Sequence, residues 1–250
     1  MRFFIAFSYF GTSYHGWQNQ PNAITVQEVL EQALSKLLRE TVAVVGAGRT
    51  DAGVHARQMF AHFDTGATFD TKELVFRLNS LLPEDIAIQQ VFEVTAEAHA
   101  RFDAEARTYE YWLIQNKNPF YIDRAHYIKQ SLDLKKMNDA AQLLLEHTDF
   151  ECFSKSNTDV HTYFCDVTEA VWKKENDILV FTITANRFLR NMVRAIVGTL
   201  QDVGTGKTTI GEVHSILESK DRSRAGVSVP AKGLYLTKIV YPKTIIATYE

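Results

Sequence analysis

The chain has 250 residues, 46% of them hydrophobic and 23% charged, with a formal net charge of −3. That is the composition of a globular protein of one or two domains and excludes an extended disordered chain. No apolar run approaches the roughly 18 residues of a membrane span, and no signal-peptide pattern follows the apolar start Met1–Phe7. A cytoplasmic protein with no membrane partner is expected.

In chain order, residues 2–10 read as a strand rich in Phe and Ile. Residues 25–39 read as an amphipathic helix, with Thr25 and Glu28 spaced as a capping box and Val26, Val29, Leu30, Ala33 and Leu37 as its apolar stripe. A β-branched run at 41–46 leads into a Gly/Ala-rich loop, and 57–64 alternates as a strand. A helix near 70–80 and a strand at 85–94 follow. The second half starts with a strand at 107–115 and a helix at 133–146. Two strands, 163–173 and 177–185, then flank the turn Glu175-Asn176-Asp177. Helices at 187–202 and 209–219 precede a last strand at 234–241. This is the element order of an α+β protein, not the regular alternation of a doubly wound fold. The expected architecture is two α+β subdomains, 1–104 and 105–250, sharing a central mainly antiparallel sheet with flanking helices.

Cys152 and Cys165 make no disulfide framework and lack metal-ligand company, which fits a reducing compartment. The slightly acidic average weighs against a nucleic-acid partner, yet clustering matters more than the sum. The arginines do cluster: Arg49 with Arg57, Arg101 with Arg107, and Arg187 with Arg190 and Arg194.

Residues 46–56 read Gly-Ala-Gly-Arg-Thr-Asp-Ala-Gly-Val-His-Ala, placing one carboxylate, Asp51, among small residues and arginines. Little bulk surrounds it, so a ligand could approach the backbone closely. The same residues also suit a tight turn whose Asp bonds its own backbone. Composition alone leaves both readings open.

The stretch from Gly48 to Ala56 resembles the catalytic-aspartate motif of the pseudouridine synthases, in the form of the tRNA pseudouridine synthase A family. Further blocks keep the family's order: Tyr9–Gln18 followed by Thr25-Val26-Gln27, Arg101-Phe102, Arg107–Tyr111, Asn186–Arg194 and Ala231–Leu236. Family members carry an Arg shortly after the position of Thr162, where this chain has Phe164 and Cys165. The resemblance implies the pseudouridine-synthase fold and isomerisation of uridine to pseudouridine at positions 38–40 of the tRNA anticodon arm. It implies no metal and no cofactor, and a homodimer.

It also implies roles. Asp51 is the catalytic nucleophile, acting as a carboxylate on an electron-poor carbon. Arg194 is its charge partner, since a nearby guanidinium favours the ionised form of an acid. Tyr109 stacks on the extruded uracil. Tyr111, two residues on and facing the same side of a strand, inherits that role if the register slips by two. Two further readings come from position in the chain rather than from the resemblance: Arg49, adjacent to Thr50-Asp51, handles the substrate, and Arg187 and Arg190, spaced with Arg194 on one helical face, reach phosphates near the helix start.

Other signals are weaker. Gly204-Thr205-Gly206-Lys207-Thr208 imitates a phosphate-binding loop, but the required glycine at 201 is Gln201 and a helix precedes it, so it reads as a helix stop and a cap. His55 and His62 read as packing or hydrogen-bonding residues rather than metal ligands. The loop Gly16–Gln20 faces RNA or is packed by Trp17. Two rival functions remain: a tRNA-binding scaffold without turnover, and a nucleotide-dependent phosphotransferase built on Gly204–Thr208.

Overall fold

A computed structural model describes residues 1–155 and 161–246. The chain divides into two compact units, one of Met1–Ala106 together with the residues from Tyr235 on, the other of Arg107–Leu234. The sequence expectation of consecutive halves, 1–104 and 105–250, therefore differs from this division at the C-terminus, where the chain returns to the first unit. Each unit is α+β, and the sheet pairing is mainly antiparallel, as the order of elements implied.

In the first unit, β1 (Arg2–Tyr9) runs antiparallel to both β3 (His55–Asp64) and β4 (Ile86–Val94). The short β2 (Val44–Gly46) pairs with β3 to form a hairpin. Residues Phe3–Phe7 are all buried, so β1 is covered on both faces, which is why its sequence is a continuous apolar run rather than an alternating one. Helix α1 (Val26–Leu38) starts where the Thr25 hydroxyl accepts the Glu28 N–H and ends at Arg39 with φ of 60°. Its buried stripe is Val26, Leu30, Ala33 and Leu34; Val29 and Leu37 are half-buried. Helix α2 (Thr71–Leu81), capped by Asp70, packs against β4.

In the second unit, β5 (Ala106–Ile114), β8 (Ile178–Ala185) and β7 (Val167–Glu175) form an antiparallel ladder in that order. The two-residue β6 (His126–Tyr127) lies parallel to the end of β5. The β7–β8 hairpin turns at Asn176, φ 53°, as the Glu175-Asn176-Asp177 signal implied. Helix α3 (Leu134–Gln142) continues as a 3-10 turn, Leu143–Leu145, and packs on β7 and on α4 (Met192–Gly204). Helix α5 (Ile210–Ser219) follows.

Two boundaries move. β7 starts at Val167, not 163, because Phe164 pairs only as an isolated bridge with Asp149 and the Cys165 N–H is taken by the Thr148 carbonyl. α4 starts at Met192, not 187. Asn191 adopts φ of 67°, which no helix continues through, and its side chain donates to the Ser228 hydroxyl at 2.6 Å. The last strand, β9 (Leu234–Val240), aligns parallel with β3 at His55↔Tyr235 and Ala56↔Leu236, within the first unit. Among the described residues no helix is long and apolar enough to cross a membrane.

Candidate active site

Asp51 lies in the connection 47–54 of the β2–β3 hairpin. The Val54 N–H donates to the Asp51 carbonyl at 3.1 Å, and Gly53 has φ of 77°, so Asp51–Val54 closes as a β-turn. The turn reading and the site reading are thus compatible: the backbone makes the turn, and the partly exposed carboxyl group is what it presents. Arg49 is exposed, while Thr50 between them is 8% exposed and anchored inward by the Tyr9 hydroxyl at 2.8 Å.

The loop is held from outside its own hairpin. The Trp17 N–H donates to the Thr50 carbonyl at 3.2 Å, and the Gly53 N–H to the Tyr14 carbonyl at 3.3 Å. The Gly11 N–H donates to His55 Nδ1 at 2.9 Å. Gly16 has φ of 92°, and a Cβ there would stand 2.5 Å from the Thr50 carbonyl oxygen. Segment 9–17 therefore clasps the Asp51 loop by backbone contacts that admit no side chain at position 16. For the loop Gly16–Gln20, whose first two residues belong to this clasp, the sequence allows an RNA-facing loop or one packed by Trp17. Trp17 is 3% exposed and lies against Phe7, so packing is its role.

In the second unit, Tyr109 and Tyr111 occupy β5 opposite Ile183 and Phe181. Tyr111 is fully buried and donates its hydroxyl to the Pro230 carbonyl at 2.8 Å, with burial pushing its pKa well up. It has no face to offer a base. Tyr109 is half-buried and meets the edge of Phe188 at 5.1 Å.

Arg194, half-buried between Val193 and Ala195 in α4, is locked to the segment 226–230. Its Nε donates to the Val229 carbonyl at 2.7 Å, and its own carbonyl accepts the Val229 N–H at 3.2 Å. That segment lies against the helix because Gly198 has no side chain: a Cβ there would fall 1.9 Å from the Val227 carbonyl oxygen. The Thr199 hydroxyl accepts the Gly226 N–H at 2.9 Å. The sequence reading missed this strap, although a glycine in the middle of an apolar helix marks such a close approach.

A family model of the tRNA pseudouridine synthases matches residues 5–103 and 140–242. The chain belongs to the tRNA pseudouridine synthase family. A relative from Porphyromonas gingivalis, "tRNA pseudouridine synthase A", is 53% identical over 248 residues, covering 98% of each chain. One of the same name from Bacteroides thetaiotaomicron is 51% identical over 249 residues, 98% of this chain and 93% of the relative. Another, from a Thermoanaerobacter strain, is 42% identical over 239 residues, 95% and 98% of the two chains. The segments matched to the family contain Arg49, Asp51, Arg187, Arg190 and Arg194, and leave Tyr109 between them.

Within this tRNA pseudouridine synthase, Arg187 and Arg190 do not share a helical face with Arg194. Both precede α4, in the non-helical stretch before Asn191, where the Arg190 carbonyl accepts the Lys155 N–H. Where the resemblance leads one to expect an arginine, Phe164 is 59% exposed and Cys165 is buried, its thiol pKa pushed up to about 11 by burial. Cys152 is likewise buried and free. Gly204 ends α4, and Thr209 with Glu212 makes a reciprocal capping box for α5, so the phosphate-loop imitation is the stop and cap that its spacing implied. His55 stacks on Phe10 at 4.1 Å, and His62 Nδ1 accepts the Ala100 N–H at 3.1 Å, both serving packing and hydrogen bonding.

Proposed function

We propose that this chain isomerises uridine to pseudouridine at positions 38–40 in the anticodon arm of tRNA, acting in the cytoplasm as a homodimer. The C1′–N1 bond breaks, the uracil turns, and C1′ joins C5; the C5 proton is lost and N1 gains one, so no outside oxidant or co-reactant is needed. The chemistry asks for neither metal nor cofactor. Asp51 is the nucleophile, Arg194 its counter-charge, and Tyr109 the ring on which the flipped uracil stacks. Arg49 handles the substrate beside Asp51, and Arg187 and Arg190 contact phosphate.

The observation that carries this reading is the backbone clasp around Asp51: a family chain holds a single partly exposed carboxylate on a rigid turn. Rigidity matters because the carboxylate must stay aligned while the base rotates and water is kept out. Arg194 adds a second fixed charge, oriented by the Val229 carbonyl.

The test is tritium release from C5-labelled uridine in unmodified tRNA, without added ATP or metal. Wild type should release tritium, and a folded Asp51→Ala variant should lose at least about a thousandfold in rate. A folded wild type that binds tRNA but releases nothing is a scaffold, and the proposal falls. The phosphotransferase rival would require a nucleotide at Gly204–Thr208, where the chain forms a helix stop and the Lys207 ammonium is tied to Asp202 at 3.1 Å.

A further inference from the structure

Between β5 and β6 the chain leaves the sheet for residues 115–125. Phe120 there is 80% exposed, Ile122 61% and, just beyond, Tyr127 38%. Single exposed apolar side chains are ordinary, but three within eight residues are a local concentration of exposed apolar surface. The backbone beneath them is built. The Asn118 side chain accepts the Phe120 N–H at 3.0 Å and Pro119 opens a 3-10 turn. The Arg124 and Ala125 N–H groups both donate to the Tyr121 carbonyl, and Lys232 Nζ donates to the Ile122 carbonyl at 2.6 Å. Ala125, 1% exposed, anchors the far end. Phe120 and Ile122 are held outward by an ordered turn.

We infer that this arm is a second RNA-contact surface, stacking an unpaired base of the substrate on Phe120 while Lys117 and Lys129 meet phosphates. The inference rests on tRNA being the substrate. Charge selects the partner: residues 115–130 carry Lys117, Arg124 and Lys129 against a single acid, Asp123, in a chain whose net charge is −3. Cations interleaved with exposed rings match a polyanion with stackable bases. The core of a protein–protein interface is instead depleted of charge. Unpaired nucleotides are the target because only they offer a free base face. The arm leaves β5 five residues beyond Tyr109, roughly 17 Å along an extended strand, so it contacts nucleotides outside the pocket of the flipped base. The family model's match stops at residue 103 and resumes at 140, while the relatives align over 98% of the chain.

The experiment uses the full chain and unmodified tRNA, with fluorescence anisotropy across a salt series and tritium release at saturating tRNA. A Phe120→Ala/Ile122→Ser variant should weaken tRNA binding about tenfold and leave kcat within about twofold. A Lys117→Gln/Lys129→Gln variant should flatten the slope of log K against log salt by about 1.5. If both folded variants bind tRNA as an active wild type does, the arm proposal is overturned. It is equally overturned if they change only self-association in sedimentation. A wild type that neither binds tRNA nor releases tritium removes the underlying functional reading and the arm with it.

Discussion

Position 16 shows how much one missing side chain can matter. Gly16 combines a positive φ with a carbonyl oxygen 2.5 Å from where a Cβ would be, whereas Gly48, in the same loop as Asp51, has nothing within 4 Å of its Cβ position. Gly16→Ala should therefore destabilise the protein by about 2 kcal/mol or more and lower turnover, because the displaced Thr50 carbonyl carries Asp51 with it. Gly48→Ala should be neutral or add up to about 1 kcal/mol. Urea unfolding of the two variants checks both. At Tyr111 the lost group is a single hydroxyl: Tyr111→Phe should cost about 1 kcal/mol through its bond to the Pro230 carbonyl and leave turnover near wild type. Tyr109→Leu should do the reverse, keeping stability and cutting kcat/KM by about tenfold or more. If a folded Tyr109→Leu variant keeps the wild-type kcat/KM, the base stacks elsewhere than proposed.

At the scale of elements, the strap 226–230 and α4 act as a unit. Adjacent carbonyls of the strap are taken by side chains from two elements, Val229 by Arg194 of α4 and Pro230 by Tyr111 of β5. The Arg194 guanidinium is thereby oriented by residues 32 or more positions along the chain from it, and the strap is pinned further by Thr199 and by the Ser228 hydroxyl between Asn191 and Arg222. Thr199→Val, isosteric but without the acceptor, strands the Gly226 N–H and should cost about 1–3 kcal/mol. Because the strap aims Arg194, kcat should fall more than KM rises; Thr199→Ser, which keeps the hydroxyl, should restore kcat in the tritium assay. The early break before α4 has the same origin. Asn191 gives up helical geometry to reach Ser228, and Arg187 and Arg190 are left on an irregular stretch rather than on a helix.

For the whole molecule, the buried His62 and the half-buried His99 and His126 set an acid limit on stability. Burial lowers the pKa of His62 from 6.5 to about 4, and burial lowers those of His99 and His126 as well. Well above pH 6.5 these groups are neutral in both states and contribute no pH dependence. As pH falls from 6.5 towards 4, the unfolded chain binds protons that the folded one refuses, so stability declines across that window. His62 alone accounts for about 3 kcal/mol at the acid end. Urea midpoints should fall steadily from pH 7 to pH 4.5, and His62→Asn, which can still accept the Ala100 N–H, should flatten that slope. An unchanged slope would mean that His62 is not buried neutral. The C-terminal return is equally a property of the whole first unit: Tyr241 packs edge-on to Phe4 and Phe60 and is hydrogen-bonded to the Ala100 carbonyl.

What the amino-acid order determined by itself was what local physics encodes. Apolar periodicity and caps placed α1, α2 and α5 within a residue or two, and a β-branched run before the glycine-rich stretch with an alternating run after it placed Asp51 on a loop between two strands. The run of residues 48–56 then carried the family, since a motif needs only neighbours in sequence. Tertiary structure alone decided which of Tyr109 and Tyr111 is fully buried, where α4 begins, what orients Arg194, and to which unit the last strand belongs. Each of these depends on a partner far along the chain: Pro230 for Tyr111, Ser228 for Asn191, Val229 for Arg194 and His55 for Tyr235. Residues in a strand or helix look alike to a local pattern until burial and a distant carbonyl distinguish them.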